Sequence, residues 1–596
     1  MTGQVQVQVQ VQARVQAREQ AVDGTPPAAP WLRRNLVVSA LGVPARGLHL
    51  VALLAISHRL GAATLGHFLV GVGLFEIAVA VVATGFTDGT LLFVSRASAG
   101  TTPAWPGSAG SRATGHTREV RGARTPSVAE AARSAALTSV VDVLASALGA
   151  GGLAAALLAG VVTAVVAVAG TVAPLALTAL PGGAPVAQHL RGAPHAEVLS
   201  GALFLAWAVL PALVSRVAFA GTSAFLRLEW EALLGTAGPP LGLLLALPLI
   251  HLHGGAGPAE AARALFAAMW VVQLGMAVLG LAVLHRHLPR SVSLGAATWA
   301  VLRHPRRRLH RGLARFAVPQ ALNMAATTYI GRLGLLVLSA SGAPAAAVGA
   351  YGAVAALVLE LRQLRAVVST AVGGLVSRQH ALGARAAIAR TLSRSSAWIA
   401  ALAVPVALGF VVVRRDVVAL VLAPDQALAG EVSDPRRLVP LILLIGPLVN
   451  CVGGLAGNFL VYLLHNRWNL LNATAVAILD TALAWLLVPR LGVTGAAIAG
   501  TLGIALLTVL ENLELALLEG IAIEPRVLAA VATTLAAGAL AVSAIEPVAA
   551  QVGPAARAGM AAGVALLAGA LATSGIRAGG RPPVAPGPPA RTGAVP

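Results

Sequence analysis

The chain contains no lysine, one cysteine and three tyrosines in 596 residues, and only 11% of its residues are charged. Each scarcity excludes something. Without lysine there can be no glycine-rich phosphate loop with its lysine, which argues against ATP as the direct energy source. The lone Cys451 permits no intrachain disulfide and no cysteine metal cluster. So little charge cannot cover the surface of a soluble chain of this length. The histidines, His49, His58 and His67 among them, are scattered without metal-ligand spacing and are assigned no role.

What is present is apolar: 57% of residues, with a mean hydropathy of +0.82. Runs of about 20 apolar residues, enough to cross a bilayer, recur from end to end. They are continuous rather than alternating, so they predict helices and not barrel strands. The expected fold is an all-α polytopic membrane protein with about 14 spans: 36–56, 67–94, 137–169, 198–221, 232–251, 262–284, 316–339, 346–372, 397–422, 438–463, 471–489, 494–518, 526–545 and 556–576. The third run is too long for one crossing and predicts an interfacial turn. Residues 1–32 read as a disordered cytoplasmic leader, because their Val-Gln alternation lacks the apolar core of a signal peptide. Residues 97–133 read as a long cytoplasmic loop. Residues 291–315 form a basic linker whose segment 301–315 predicts a helix on the inner leaflet. The Pro- and Gly-rich 578–596 read as a disordered tail.

A formal charge of +20 would point to nucleic acid in a soluble protein. Here the arginines fall between spans, which predicts contact with anionic membrane lipid and no nucleic-acid partner. With the N-terminus inside, the cytoplasmic segments receive Arg33, Arg34, the five arginines from Arg112 to Arg133, the cluster Arg286 to Arg315, and Arg378 to Arg394. The opposite side receives fewer, among them Arg59, Arg191, Arg436 and Arg490. An even span count with both termini cytoplasmic follows.

The chain also repeats itself. Leu92-Phe93-Val94-Ser95-Arg96 returns as Gly374-Leu375-Val376-Ser377-Arg378. Upstream, Glu76 corresponds to Glu360, Leu65-Gly66-His67-Phe68 to Val348-Gly349-Ala350-Tyr351, and Arg46 to Arg332. A weaker echo pairs Leu226–Trp230 with Leu464–Trp468. This predicts two related lobes, 33–290 and 316–520, followed by two further helices over 521–577. Paired bundles with matching intramembrane charges are a common transporter architecture.

Three stretches give the chain a resemblance to the MOP superfamily, specifically to Wzx-type polysaccharide flippases. They are Leu313–Leu322 with its Pro319, Val348-Gly349-Ala350-Tyr351, and Leu486–Ala499 with Pro489, Gly492 and Gly495. The resemblance covers about residues 33–576. It implies two six-helix lobes about a pseudo-twofold axis, a central cavity, and undecaprenyl-diphosphate-linked oligosaccharide as substrate. Relatives export drugs (MATE) or flip a peptidoglycan precursor (MurJ). Glycosyltransferases and a polysaccharide polymerase would be the expected working partners.

A lone charge at bilayer depth costs about 2.5–3.5 kcal/mol on insertion scales, so each needs a partner, water or a task. Arg46 and Arg332 occupy facing helices in the two-lobe arrangement and suit a diphosphate, which a guanidinium can grip with paired hydrogen bonds. The competing reading neutralises each locally, Arg46 by Glu76 and Arg332 by Glu360. Glu76, Glu360 and Asp480 are candidates for ion or proton coupling or for intramembrane pairing; no cofactor is expected, and H+ and Na+ both stay open. Asp88 and Asp142 read as solvated, and Glu511 and Glu514 as interfacial. Pro44 and Pro319 are expected to bend the arginine-bearing helices. Two alternatives stand beside the flippase: a MATE-like cation-coupled antiporter, and a polytopic glycosyltransferase or polymerase. The enzyme reading is weakened because no large external loop carries acidic catalytic groups; 171–197 has no Asp, and Glu197 lies only at its end.

Overall fold

The computed structural model describes residues 47–98, 128–167, 193–224, 230, 234–252, 257–288, 293–304, 311–381, 383–421, 435–549 and 551–579. Among these residues there are helices and turns and no strand. A chain in hydrocarbon must satisfy its own backbone, and helices do so segment by segment. The first lobe comprises α1 (Gly47–Leu60), α2 (Ala62–Val79), a π-helical turn (Ala80–Thr84) leading into α3 (Gly85–Ser98), α4 (Val128–Ala167), α5 (Ala193–Ala224), α6 (Thr236–Leu252) and α7 (Pro258–His287). Helix α8 (Leu294–Arg303) connects it to the second lobe. That lobe holds α9 (Arg311–Ala340), α10 (Ala345–Leu359), α11 (Arg362–Ala381), α12 (Arg385–Val421), α13 (Pro435–Gly453), α14 (Leu455–Tyr462) and α15 (Asn466–Glu519). Helices α16 (Pro525–Ala549) and α17 (Pro554–Gly579) follow.

Ten of the described helices are long and apolar enough to cross a membrane, or eleven if the bent pair α13–α14 is one span. The expected count of about 14 exceeds this for identifiable reasons. The 54-residue α15 contains two expected spans, and α1 and α6 are shorter apolar helices. The legs of α15 fold back at Gly492, whose φ of 55° and ψ of −128° leave the helical region. This is the Pro489–Gly492 turn expected from the sequence.

One local expectation changes. The third apolar run shows no interfacial turn, because α4 is one unbroken helix of 40 residues. Its Ala- and Val-rich sequence offers no proline to stop it. In the linker a helix spans Leu294–Arg303, and residues 305–310 of the segment expected to be helical lie outside the described residues. Ser293 starts it by accepting the Ala296 N–H at 3.2 Å, and Arg303 stacks on Trp299 at 5.2 Å. The leader 1–32, residues 99–127 of the long loop, Leu226–Glu229 of the weaker echo, Pro44 and most of the tail lie outside the described residues.

The first lobe is built around α5, which packs on α2, α4 and α7. In the second lobe α9 and α13 lie against α15, and α12 lies against α13. Helices α16 and α17 sit on α12 through an apolar patch that includes Val404, Leu408, Val542 and Val564. Two ion pairs fasten them: Arg414 with Glu546, and a two-pronged Arg557–Asp416 contact at 2.6 and 2.7 Å. Large exposed side chains such as Leu245, Leu517, Leu540 and Leu566 give the molecule a surface suited to lipid rather than water.

The lobes meet where α2 and α3 pack on α9 and α10. Near the N-terminal ends of α2 and α10 the backbones touch. A side chain on Gly66 would overlap the Ala345 carbonyl, and one on Gly349 would overlap the Ala62 carbonyl. Gly66 and Gly349 are repeat-equivalent, so the contact is reciprocal, as a twofold relation between lobes requires. Further along, Gly85 abuts the Ala317 carbonyl, Gly89 lies against Leu313, and Phe93 meets Phe316 edge-on with centroids 6.2 Å apart.

Candidate functional site

The seam between the lobes holds charge within two apolar stretches long enough to cross a membrane, Ala62–Thr90 and Leu313–Ala340. Arg332 of α9 reaches across to Glu76 of α2, with Nε and Nη2 each 2.6 Å from Oε2. The local pairing of Arg332 with Glu360 is thus corrected: its carboxylate partner comes from the opposite lobe. The physical reason is visible at Gly73, one turn before Glu76. There α2 runs alongside the Arg332 stem, close enough that even a Cβ on Gly73 would touch it, and the guanidinium continues to Glu76. His49 of α1 is within electrostatic range of both partners, so a histidine given no role in the sequence reading faces the pair. Arg46, expected opposite Arg332, lies outside the described residues.

A second inter-lobe bond lies nearer α3. Gln320 of α9 donates to Asp88 at 2.8 Å. Asp88, expected to be solvated, is instead engaged in the seam. Asp142 is exposed, as expected. Glu360 occupies the turn between α10 and α11, where the helix breaks for two residues before Arg362.

Asp480 is placed differently from the seam charges. It is 2% exposed, midway along the first leg of α15, and neither carboxylate oxygen has a hydrogen-bond partner. It fits only because Gly503 on the returning leg lacks a side chain, which would otherwise overlap the carboxylate. Ile330 of α9 borders the same glycine, and Tyr351 of α10 lies within electrostatic range. Beside it, the Tyr329 and Thr481 hydroxyls are 3.0 Å apart. A buried carboxylate without donors demands a proton or a cation.

The sequence reading missed a polar cluster in the second lobe. Arg362 donates to Asn450 Oδ1 at 3.2 Å; Arg365 donates to the Gly454 carbonyl at 2.5 Å and to Asn458 at 3.1 Å. Asn512 donates to the Gly453 carbonyl at 2.9 Å. These bonds serve the 42° break between α13 and α14, which frees carbonyls that a straight helix would satisfy. The signals were present: Glu360, Arg362 and Arg365 share one expected span, and Gly453-Gly454 interrupts another. Glu511 and Glu514 are buried within the protein, Glu511 against Gly457 of α14 and Glu514 held by Asn472 of the first leg of α15. Among the described residues no group of three or more His, Cys, Asp and Glu side chains could hold a metal ion.

No family model matches the chain, and no curated protein matches its sequence. Solved structures do. The lipid II flippase MurJ in an inward closed conformation matches with a TM-score of 0.60 at 8% identity, over 91% of this chain and 99% of that one. The MATE multidrug transporter DinF-BH matches with a TM-score of 0.51 at 13% identity, over 84% of this chain and 97% of that one. An outward-facing MATE-family transporter of the MOP superfamily gives a TM-score of 0.50 at 15% identity, over 88% and 99%. At such identities the likeness is one of fold. The chain is a multi-pass membrane protein with the fold of the MOP-superfamily transporters.

Proposed function

We propose that this chain flips an undecaprenyl-diphosphate-linked oligosaccharide across a bacterial cytoplasmic membrane by alternating access, for cell-surface polysaccharide synthesis. The observation that carries the reading is the Arg332–Glu76 pair, a guanidinium and a carboxylate bridging two repeat-related lobes. When the lobes part, the pair separates and Arg332 is released into the gap. A diphosphate replaces the carboxylate there with the same paired, charge-assisted bonds. Arg46, its repeat equivalent, is proposed as the second diphosphate contact. The sugar would cross in the polar gap while the polyprenyl tail stays in lipid, which avoids carrying hydroxyls and charges through about 30 Å of hydrocarbon.

Asp480, with both oxygens unpartnered, is the proposed coupling site for Na+ or H+. The same residue favours a second reading, a cation-coupled drug antiporter of the MATE type. The proposed setting includes glycosyltransferases and a polymerase acting before and after the flip.

Vesicles with and without the full-length protein, loaded with labelled lipid-linked oligosaccharide, test the reading. Access of an external probe to the label is expected to be at least tenfold faster with the protein. Equal rates would rule the flippase out, and drug efflux from the same cells would then put the antiporter first.

A further inference from the structure

At one end of the first lobe, the last turns of α1 and α6 and the first turns of α2 and α7 enclose a cavity of about 400 Å³. Three of its side chains carry charge or an exchangeable proton: Arg59 of α1, His251 of α6 and Glu260 of α7. Thr64 of α2 also lines it, but its hydroxyl is spent on the Leu60 carbonyl at 2.7 Å. Among the described residues Arg59 and His251 make no hydrogen bond or ion pair. Glu260 leans on Arg263, one turn along the same helix. The 3.6 Å gap between them is beyond a hydrogen bond, and the side chains are 57% and 37% exposed, so the contact is weak. A cation and a carboxylate thus line one cavity from different helices without neutralising each other.

The cavity continues into an apolar surface. Leu241, Leu245 and Leu249 of α6 are 43%, 76% and 63% exposed and recur every fourth residue, so they form one stripe along the helix. Leu249 belongs both to the stripe and to the cavity wall. A polar recess at helix ends, continued by an apolar stripe along one of those helices, has the form of a lipid headgroup followed by its acyl chain. A water-soluble ligand would leave the stripe unused. The charges then narrow the headgroup. The planar fork of Arg59 suits phosphate oxygens, and His251 adds an N–H donor. The Glu260 carboxylate would repel a purely anionic headgroup, whereas it accepts hydrogen bonds from a primary ammonium. A quaternary ammonium has no N–H to give and is held by the faces of Trp, Tyr or Phe. Among the described residues none of these lines the cavity.

We propose that this cavity binds a membrane phospholipid whose headgroup carries both a phosphate and a primary amine. Arg59 and His251 take the phosphate, Glu260 takes the ammonium, and an acyl chain lies along Leu249 and Leu245. Every wall of the cavity belongs to the first lobe, so the site is separate from Asp480 and from the cross-lobe Arg332–Glu76 pair. The inference does not depend on the flippase reading, because binding is measured without transport.

The test melts the purified full-length protein in detergent micelles doped with phosphatidylethanolamine, phosphatidylcholine or phosphatidylglycerol of identical acyl chains. Phosphatidylethanolamine is expected to raise the melting temperature by at least about 2 °C more than either of the others. Arg59 and Glu260 are both exposed, so their substitution leaves the packing of the lobe intact. The Arg59→Ala/Glu260→Gln variant is expected to respond equally to the three lipids. Glu260→Gln alone, which leaves Arg59 without an opposing charge, is expected to move the preference to phosphatidylglycerol. Equal shifts from the three lipids in the wild type overturn the proposal, as does a wild type that prefers phosphatidylglycerol or phosphatidylcholine. So does a phosphatidylethanolamine preference that survives in either variant. Soluble phosphoethanolamine at the same concentration is the last arm. It is expected to give no shift, and a shift equal to that of the lipid would overturn the assignment to a membrane lipid.

Discussion

Arg332 shows how much a single side chain's partner matters. Paired within its own lobe, it would be a structural charge that stays put as the lobes move. Paired with Glu76 across the seam, at 2.6 Å, it must change partner whenever the lobes separate. A charge uncovered in hydrocarbon is expensive, so separation is favoured only when something anionic or water arrives. Arg332→Ala is therefore expected to abolish complementation of surface polysaccharide while protein levels in the membrane stay near wild type. Arg332→Lys should recover only part, roughly a tenth of the activity, because an ammonium is a point charge without the planar fork. Full complementation by the alanine variant would remove Arg332 from the substrate path. Quantitative surface glycan staining alongside immunoblotting of membranes reads both.

At the scale of elements, the pivotal contact is between α2 and α10. Gly66 and Gly349 allow backbone to lie on backbone, with no side chain between to compress or rearrange. Such a contact can form and part as a unit. Gly66→Leu is expected to hold these helix ends apart and to reduce transport at least tenfold at normal membrane levels. Gly275→Leu on α7, where an added Cβ meets nothing within 4 Å, should be tolerated. Equal transport by the two variants would show that the reciprocal contact is dispensable.

The repeat that places these glycines was legible in the sequence, because Gly66 and Gly349 lie in matching tetrapeptides. So was the α15 turn, where Pro489 and Gly492 leave little choice of backbone. The partner of Arg332 was not. A repeat shows that Glu76 and Glu360 are equivalent, and either could answer an arginine; only the packing of the lobes decides between them. The burial of Glu511 and Glu514 was not legible for a related reason. Depth was read from distance to a helix end, whereas burial depends on the face turned to α14 and the other leg of α15.

For the whole molecule, the described helices fix a fold but not an orientation. Ten or eleven helices meet the length and composition needed to cross, α15 doubles back within one of them, and α1 and α6 are short. The parity of crossings therefore rests on whether α1 and α6 traverse the membrane. The arginine distribution predicts that they do: with both counted, the basic loops would fall on one side, where the chain would start and finish. Short spans can cross if the bilayer thins or flanking residues reach the interface, at a fraction of a kcal/mol per Å of mismatch. Reporters active only in the cytoplasm, fused at Met1 and at Pro596, should both give signal. A third fusion in the segment between α6 and α7, at residues 253–256, should be silent. If the two terminal fusions differ, the crossings are odd in number, and α1 or α6 lies along the membrane surface. The Arg332–Glu76 seam would survive that result, but the arrangement of Arg46 opposite Arg332 would not, since it needs α1 to enter the membrane as the repeat equivalent of α9.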